Sequence, residues 1–196
     1  MSEENKFSFF ARLEPRLAPS ELTMIKAAYY LAKFGHRAQV RKEVDSAGEP
    51  LRYFEHLRRT AIILMDEANV YEPELICAAL LHDTLEDTDD IDAAIIEKIF
   101  GSKMTRIVKT LTKIQGALKD EYVKRLQHSD EDTILIKACD RLDNLRSLNS
   151  TSEEFKARKI TETIEQFIPI FNNFLYDTER GHHIYQLILH NVKVAS

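Results

Sequence analysis

The sequence has few of the residues that interrupt helices or cross-link a chain. Its 196 residues include no tryptophan, five glycines, five prolines and two cysteines. Scarce glycine and proline argue against a fold built from many short strands and tight turns. Two cysteines are too few for a disulfide framework. There is no run of roughly 18 or more apolar residues, so we expect no transmembrane helix.

The residues that are present favour a helical protein. Hydrophobic residues make up 44% of the chain, close to the globular average, and recur at helical spacing over long stretches. We therefore expect an all-α protein, with an N-terminal arm at residues 1–19 and a single domain at residues 20–196. The formal net charge of −5 gives no general case for nucleic-acid binding, but it is compatible with a local basic pocket for a phosphorylated small molecule.

The N-terminal residues and the cysteines indicate the cellular compartment in which the protein is expected. Residues 1–6 are polar and acidic, unlike a signal peptide. Cys77 and Cys139 each lie in an apolar stretch, which is typical of buried free thiols. These features predict a cytoplasmic protein in a reducing environment.

Local signals predict several element boundaries. Ser20 is expected to cap the first long helix, and Thr151 with Glu154 matches a capping box for a later one. Residues 43–50 contain the glycine and proline of a turn, and no stretch alternates long enough to predict a strand. The last amphipathic helix, 184–194, has an apolar face that could close the core or form a homodimer, and the sequence does not separate the two.

Four ionisable residues fall within apolar helical patterns: His56, His82, Asp83 and Asp140. Such groups are costly to bury unless they are paired or bound to a cation. Two imidazoles and two carboxylates that face inward can bind a divalent transition metal and leave positions for water and substrate. The lack of a thiolate argues against structural zinc, and manganese is compatible without being selected.

Some of these residues, and the acidic residues that follow Asp83, also have a simpler explanation. His56 alone could be an ordinary core histidine, and Asp140 could pair with Lys137. The acidic residues Glu86 and Asp87 could favour the N-terminus of the next helix, an explanation weakened by their distance from it. Spacing alone therefore leaves the metal site open.

Three segments resemble the hydrolase domain of RelA/SpoT homologues, within the HD phosphohydrolase superfamily. Residues 80–88, LLHDTLEDT, are similar to its LLHD-x-x-EDT signature. Residues 137–146, KACDRLDNLR, resemble its K-x-x-DRLxNxR segment, and residues 36–42, HRAQVRK, its H-x-x-Q-x-RK segment. The similarity keeps the same order over a motif-bearing core of about residues 25–150, followed by C-terminal helices at 151–196.

The resemblance implies an HD-domain bundle of about eight to ten helices that hydrolyses the 3′-pyrophosphate of (p)ppGpp with one Mn²⁺ ion, giving GDP or GTP and pyrophosphate. Because the remaining residues leave no room for a synthetase domain, small alarmone hydrolases are the most similar type. The implied roles are metal ligands at His56, His82, Asp83 and Asp140, water activation by Glu86 and Asp87, and substrate contacts from Arg41, Lys42, Asn144 and Ser147.

The sequence departs from this pattern near the expected nucleotide. Leu57 follows the first metal histidine where proline is usual, Asp143 stands where histidine or tyrosine is common, and Ser147 where threonine is common. These departures leave open an adenine alarmone, another nucleotidase or 3′-phosphatase of the superfamily, and a nucleotide-binding regulator with little turnover. In each case we expect the partner to be a small-molecule nucleotide. We expect the protein to bind neither nucleic acid nor a membrane.

Overall fold

Apolar residues at helical spacing account for most of the elements in the computed structural model, which describes residues 5–45, 47–114, 116 and 119–195. The helices are α1 (Lys6–Ala11), α2 (Pro19–Gly35), α3 (Phe54–Asp66), α4 (Pro73–Leu81), α5 (Thr84–Asp87), α6 (Ala93–Phe100), α7 (Ser102–Leu111), α8 (Lys119–Gln127), α9 (Glu131–Arg146), α10 (Glu153–Glu162), α11 (Ile168–Leu175) and α12 (His182–Ala195). A 3₁₀ turn covers Leu148–Ser150, and a π-helical stretch, Thr163–Phe167, joins α10 to α11.

The all-α prediction is confirmed. If the continuous stretch 153–175 is taken as one helix, ten helices in the described part of the chain are longer than a single turn. Within the same residues, no helix combines the length and the apolar character needed to cross a membrane.

The centre of the fold is α9, in which every residue from 133 to 143 is buried. It lies against α3 and α4 on one side and α11 and α12 on the other. A helix surrounded in this way is apolar around most of its circumference, so a charged residue within it must have a partner inside the protein. Because α12 packs against α9, the apolar face of this last helix lies against the core.

The N-terminal segment contributes to the core. Phe9 is fully buried and Phe10 almost so, and both rings lie 5.3 Å from the ring of Tyr29 on α2. Asn5 caps α1 by accepting hydrogen bonds from the amides of Phe7 and Ser8. Buried aromatic side chains contribute strongly to the stability of a small domain, so the N-terminal segment is held firmly against α2.

A two-stranded antiparallel hairpin between α2 and α3 was not expected from the sequence. Its strands are β1 (Val40–Val44) and β2 (Pro50–Arg52). The tip is held by the Asp45 carboxylate, which accepts hydrogen bonds from the amides of Ala47 and Glu49, and by Gly48 at a φ of 83°. The strands are short and largely charged, so they lack the alternation by which strands are recognised. The turn predicted over residues 43–50 is therefore shorter in the structure, because Glu43 and Val44 belong to β1 and Pro50 to β2.

Two helix starts differ from the predicted ones by one or two residues. Ala18, not Ser20, is the N-cap of α2, because Pro19 is favoured at the first helical position and the Glu21 carboxylate accepts a hydrogen bond from the Ala18 amide at 2.7 Å. Ser152, not Thr151, caps α10 by accepting a hydrogen bond from the Phe155 amide.

The two cysteines are free and fully buried, as predicted. Cys77 lies within α4 and Cys139 within α9. Burial raises the pKa of the Cys77 thiol to about 12 and also raises the pKa of the Cys139 thiol. Both residues therefore act as small apolar side chains in the core rather than as nucleophiles.

Candidate active site

The fold brings together the four residues that the sequence places in apolar surroundings. His56 lies in the first turn of α3, His82 and Asp83 directly follow α4, and Asp140 lies within α9. The Nε2 atom of His56 is 3.1 Å from Asp140 Oδ1 and 3.6 Å from Asp83 Oδ2. The Nε2 atom of His82 is 3.3 Å from Asp83 Oδ2 and 3.6 Å from Asp140 Oδ1. Two ring nitrogens and two carboxylate oxygens thus converge on one point.

Both imidazoles are oriented through their other nitrogen. The Nδ1 atom of His56 lies 2.7 Å from Asp143 Oδ2, and the Nδ1 atom of His82 lies 2.8 Å from the Ala79 carbonyl oxygen. A hydrogen bond donated by Nδ1 fixes the tautomer whose Nε2 lone pair is free to bind a cation. Among the described residues the Nε2 atom of His82 has no hydrogen-bond partner although it is buried. A bound divalent metal would satisfy this nitrogen, so the residues fit such an ion.

The two carboxylates are each held by a neighbouring donor. The hydroxyl of Tyr53 donates to Asp83 Oδ2 at 2.7 Å. Asp140 accepts from Lys137 Nζ at Oδ2, at 2.6 Å, and from Asn144 Nδ2 at Oδ1, at 2.5 Å. The pairing of Asp140 with Lys137 and its convergence with the histidines therefore coexist, because each uses a different oxygen.

The charges of the cluster stabilise one another. Burial lowers the pKa of a histidine, but the carboxylates of Asp83 and Asp140 outweigh burial and raise the pKa of His82 to about 9. The pKa of His56 is raised well above its ordinary value for the same reason. Burial raises the pKa of an acid, but Lys137 and the two imidazoles hold the pKa of Asp140 well below its ordinary value. The carboxylates are therefore ionised at neutral pH, as metal ligands must be.

Glu86 and Asp87 lie on the single turn of α5, immediately after Asp83. Both are accessible from solvent, and Glu86 Oε2 accepts a hydrogen bond from the Lys113 amide at 2.8 Å. The surrounding protein removes part of their hydration, which raises the pKa of both carboxyl groups, and the nearby charge of Asp83 adds to this effect. A carboxylate with a raised pKa is a better proton acceptor near neutral pH.

Apart from His82, these groups line one cavity of about 330 Å³. The size is at the lower end of the range for small-molecule sites. Its acidic residues are Asp83 and Asp140 of the histidine–aspartate cluster, Glu86 and Asp87 of α5, and Glu43. Six cationic side chains also line it: Arg41, Lys42, Lys113, Lys137, Arg141 and Lys159. Such a mixture suits a ligand that carries several phosphates beside a metal ion.

The four residues expected to contact substrate all line this cavity. Arg41, on β1, donates from Nη2 to Asn144 Oδ1 at 3.2 Å, so Asn144 links this arginine to Asp140. Lys42 Nζ lies 4.3 Å from the centre of the Phe155 ring. The Ser147 hydroxyl donates to the Asp143 carbonyl one turn earlier, at 2.9 Å.

Sequence reasoning did not identify Tyr53, Phe155 or Lys159 as lining residues. Tyr53 lies three residues before His56, at a helical spacing that would have been a usable signal. Phe155 and Lys159 belong to α10, outside the segment that carries the motifs, and no motif marks them. They reach the cavity because the chain after α9 turns back over it, which is a property of the tertiary fold.

Comparison with known proteins agrees with this fold. A family model described as an HD domain matches residues 28–173. Because this match covers well over half of the chain, the chain belongs to the HD domain family.

Particular relatives are more specific. The chain is 37% identical over 150 residues to the human guanosine-3′,5′-bis(diphosphate) 3′-pyrophosphohydrolase MESH1, a match that covers 72% of this chain and 79% of that protein. It is 37% identical over 180 residues to the guanosine-3′,5′-bis(diphosphate) 3′-pyrophosphohydrolase of Aquifex aeolicus, which covers 87% of this chain and 24% of that protein. The chain thus spans about a quarter of the length of this bacterial relative.

A solved structure is similar over nearly the whole fold. It is described as a metazoan orthologue of SpoT that hydrolyses ppGpp and plays a role in starvation responses. The TM-score is 0.73 at 26% sequence identity, and the match covers 91% of this chain and 97% of that one. The similarity therefore extends beyond the segment that carries the motifs to the helices after α9.

Proposed function

We propose that this protein hydrolyses the 3′-pyrophosphate of (p)ppGpp or a closely related alarmone, releasing pyrophosphate and leaving GDP or GTP. The observation that carries the proposal is the convergence of two histidines and two aspartates beside Glu86 and Asp87, in a cavity lined by six cationic side chains. The activities named for the human and Aquifex relatives support it.

His56, His82, Asp83 and Asp140 would hold one divalent metal ion, and we propose Mn²⁺. A mixed set of imidazole and carboxylate ligands suits a transition metal of this kind. When bound, such an ion supplies Lewis acidity, which favours ionisation of water and neutralises phosphate charge. The contacts of Tyr53 and Lys137 keep the two carboxylates in place for this purpose.

Glu86 and Asp87 are proposed to orient the attacking water and accept its proton. Their raised pKa values make them suitable bases, and the hydrogen bond from the Lys113 amide holds Glu86 in the cavity. Displacement at phosphorus also requires positive charge around the non-bridging oxygens. Lys137 and Arg141 are well placed to supply it, because both line the cavity from α9.

The nucleotide is proposed to lie toward the hairpin and α10. Arg41 can stack its planar guanidinium on a purine or bind phosphate, and Lys42 can bind phosphate. Asn144 and Ser147 would contact the sugar and phosphate side. The Phe155 ring, beside Lys42, adds an aromatic surface to the same region. We propose that the residues of this region determine whether the protein prefers guanine over adenine.

The cellular setting is part of the proposal. Two buried free thiols, Cys77 and Cys139, are compatible with a reducing cytoplasm. The partner would be a small nucleotide rather than a macromolecule, since the cavity has the size of a small-molecule site.

The test is product analysis with purified protein, Mn²⁺ and a substrate panel of guanine and adenine alarmones, each as tetraphosphate and pentaphosphate. We expect pyrophosphate release that is abolished by a chelator, restored by Mn²⁺, and lost in Asp83→Ala and Glu86→Ala. Orthophosphate as the product would instead indicate a nucleotidase or 3′-phosphatase. Tight binding without product would indicate a regulator. If all substrates remain intact with Mn²⁺, the proposal is wrong.

A further inference from the structure

Asp143 lies between a metal-site histidine and an arginine. Its Oδ2 atom is 2.7 Å from His56 Nδ1, and its Oδ1 atom accepts a hydrogen bond from Arg59 Nε at 2.6 Å. The residue is 3% exposed. Oδ2 also accepts a hydrogen bond from Arg59 Nη2 at 3.1 Å, so Arg59 contacts both carboxylate oxygens. These contacts fix the rotation of the carboxylate and, through it, the orientation of the His56 ring.

Arg59 extends this chain of contacts toward the nucleotide side of the cavity. Its Nη2 atom donates to Glu43 Oε2 at 2.8 Å and to Glu43 Oε1 at 3.1 Å. Glu43 Oε2 also accepts from Arg41 Nε at 2.9 Å. The side chains come from β1, α3 and α9, and their charges alternate from Arg41 through to His56.

We propose that Glu43, Arg59 and Asp143 form a positioning relay, which holds His56 at one end and Arg41 at the other in a fixed mutual geometry. Asp143 is a positioning residue, since it acts on the metal through His56. The nucleotide end of the relay rests on the proposed function. The metal end requires only that His56 binds a divalent ion.

The energetics favour a functional role over a purely structural one. A buried ion pair is weak evidence for stability, because apolar side chains of similar size often do as well. The Asp143 contact with His56 Nδ1 has a specific chemical consequence, since it selects the tautomer that leaves Nε2 available to a cation. Glu43 likewise restrains the long side chain of Arg41, which reduces the conformational entropy lost when a ligand binds.

The metal end is tested by Asp143→Asn. Asparagine has a single acceptor oxygen, so either His56 Nδ1 or Arg59 Nε faces its amide NH₂ group instead of an acceptor. We expect Mn²⁺ to bind metal-free protein about 10–100-fold more weakly by calorimetry. We also expect the Co²⁺-loaded variant to show a changed visible absorption spectrum, with the helical circular dichroism unchanged. A dissociation constant within about twofold of the original, with an unchanged Co²⁺ spectrum, overturns this end of the relay.

Glu67→Gln is the matched control. Glu67 pairs with Arg146 at 2.6 Å and joins α3 to α9, as the Arg59–Asp143 pair does, but it does not contact the metal cluster. We expect its Mn²⁺ affinity to match that of the unaltered protein. An equal loss of affinity in Glu67→Gln would show that any weakened link between these helices disturbs the site, and the relay would be rejected.

The nucleotide end is tested by Glu43→Gln and Arg59→Met. We expect Glu43→Gln to weaken GDP binding to the Mn²⁺-loaded protein several-fold and leave Mn²⁺ affinity unchanged. Arg59→Met should weaken both, and its result decides the metal end if Asp143→Asn does not fold. Unchanged GDP affinity in Glu43→Gln overturns the nucleotide end. If GDP does not bind the unaltered protein, this end of the relay is rejected, while pyrophosphate release from the alarmone panel decides the proposed function separately. The Asp143→Asn result decides the metal end in either case.

Discussion

The hydroxyl of Tyr53 donates a hydrogen bond of 2.7 Å to Asp83 Oδ2. The Tyr53 ring also stacks on the His36 imidazole, with ring centres 4.9 Å apart and planes 11° from parallel. Burial and the charge of Asp83 raise the pKa of Tyr53 far above its ordinary value. The phenol therefore remains a hydrogen-bond donor throughout the working pH range, and it limits the rotation of a carboxylate that is proposed to bind the metal.

Tyr53→Phe should separate this hydrogen bond from the packing of the ring. The stack on His36 is retained, so we expect the melting temperature to stay within a few degrees. Loss of the donor should weaken Mn²⁺ binding by about tenfold, measured by calorimetry on metal-free protein. Unchanged affinity would mean that Asp83 is held in place without Tyr53.

Glu86→Gln should remove the proposed base while keeping its shape. We expect kcat to fall by about 10²–10⁴-fold, with Mn²⁺ affinity unchanged, because Glu86 is not among the proposed ligands. Asp89→Asn is the control, since Asp89 is an exposed acid three residues further on, outside the cavity lining. If both variants lose activity equally, local charge rather than proton transfer explains the result.

The pH dependence of the activity should reveal the raised pKa values of Glu86 and Asp87. Because the pKa values of Glu86 and Asp87 are raised, each is protonated at a higher pH than an ordinary carboxyl group. Activity is expected to fall as the pH decreases through these raised values, so the acidic limb of kcat/KM should lie above about 4.5. Steady-state rates from pH 4 to pH 8, with metal saturating throughout, measure this. An acidic limb below about pH 4 would contradict it.

Metal-free and Mn²⁺-loaded protein should respond to pH in different ways. The pKa of His82 is about 9 in the folded protein, above its ordinary value of 6.5. Its stabilising contribution in metal-free protein is therefore complete below pH 6.5 and is lost as the pH rises through about 9. Metal binding requires a neutral imidazole, so Mn²⁺ competes with the proton on His82. The affinity for Mn²⁺ should therefore increase as the pH rises through the same range. The difference between the two melting temperatures should widen as the pH rises, and a constant difference would be evidence against ligation by His82.

Phe9→Ala should show that the N-terminal arm belongs to the core. Phe9 is fully buried against Tyr29, so we expect the free energy of unfolding to fall by about 3–5 kcal/mol in urea denaturation. Phe7→Ala is the matched control, because Phe7 is 78% exposed on the same helix, and we expect a change within about 0.5 kcal/mol. Equal effects would place the arm outside the cooperative fold.

The residues of the histidine–aspartate cluster could be selected from the sequence because they break the apolar pattern of their own helices. Asp140 lies in a helix that is buried on all sides, and His82 with Asp83 ends another buried helix. Their convergence with His56 follows from the packing of α3 on α4 and α9, which no local spacing specifies. Family resemblance supplied that step.

Other features depend on contacts between distant parts of the chain. Asp143 and Arg59 are 84 residues apart in sequence, and neither residue alone marks a partner for His56. The hairpin was not predicted because its two strands are short and lie at the surface, and charged residues make up half of them. Such strands show too little alternation of apolar and polar residues to be recognised. Phe155 reaches the cavity only because α10 turns back over it. In each case tertiary packing, not local propensity, determines the position.

The two thiols give the protein an internal reporter of motion. Cys77 and Cys139 are fully buried in α4 and α9, the helices next to or containing three of the four proposed metal ligands. A thiol reagent can reach them only when these helices open, so the rate of chemical labelling measures the opening free energy of the site's own scaffold. Labelling rates with and without bound metal would then show how strongly ligand binding closes the centre of the fold.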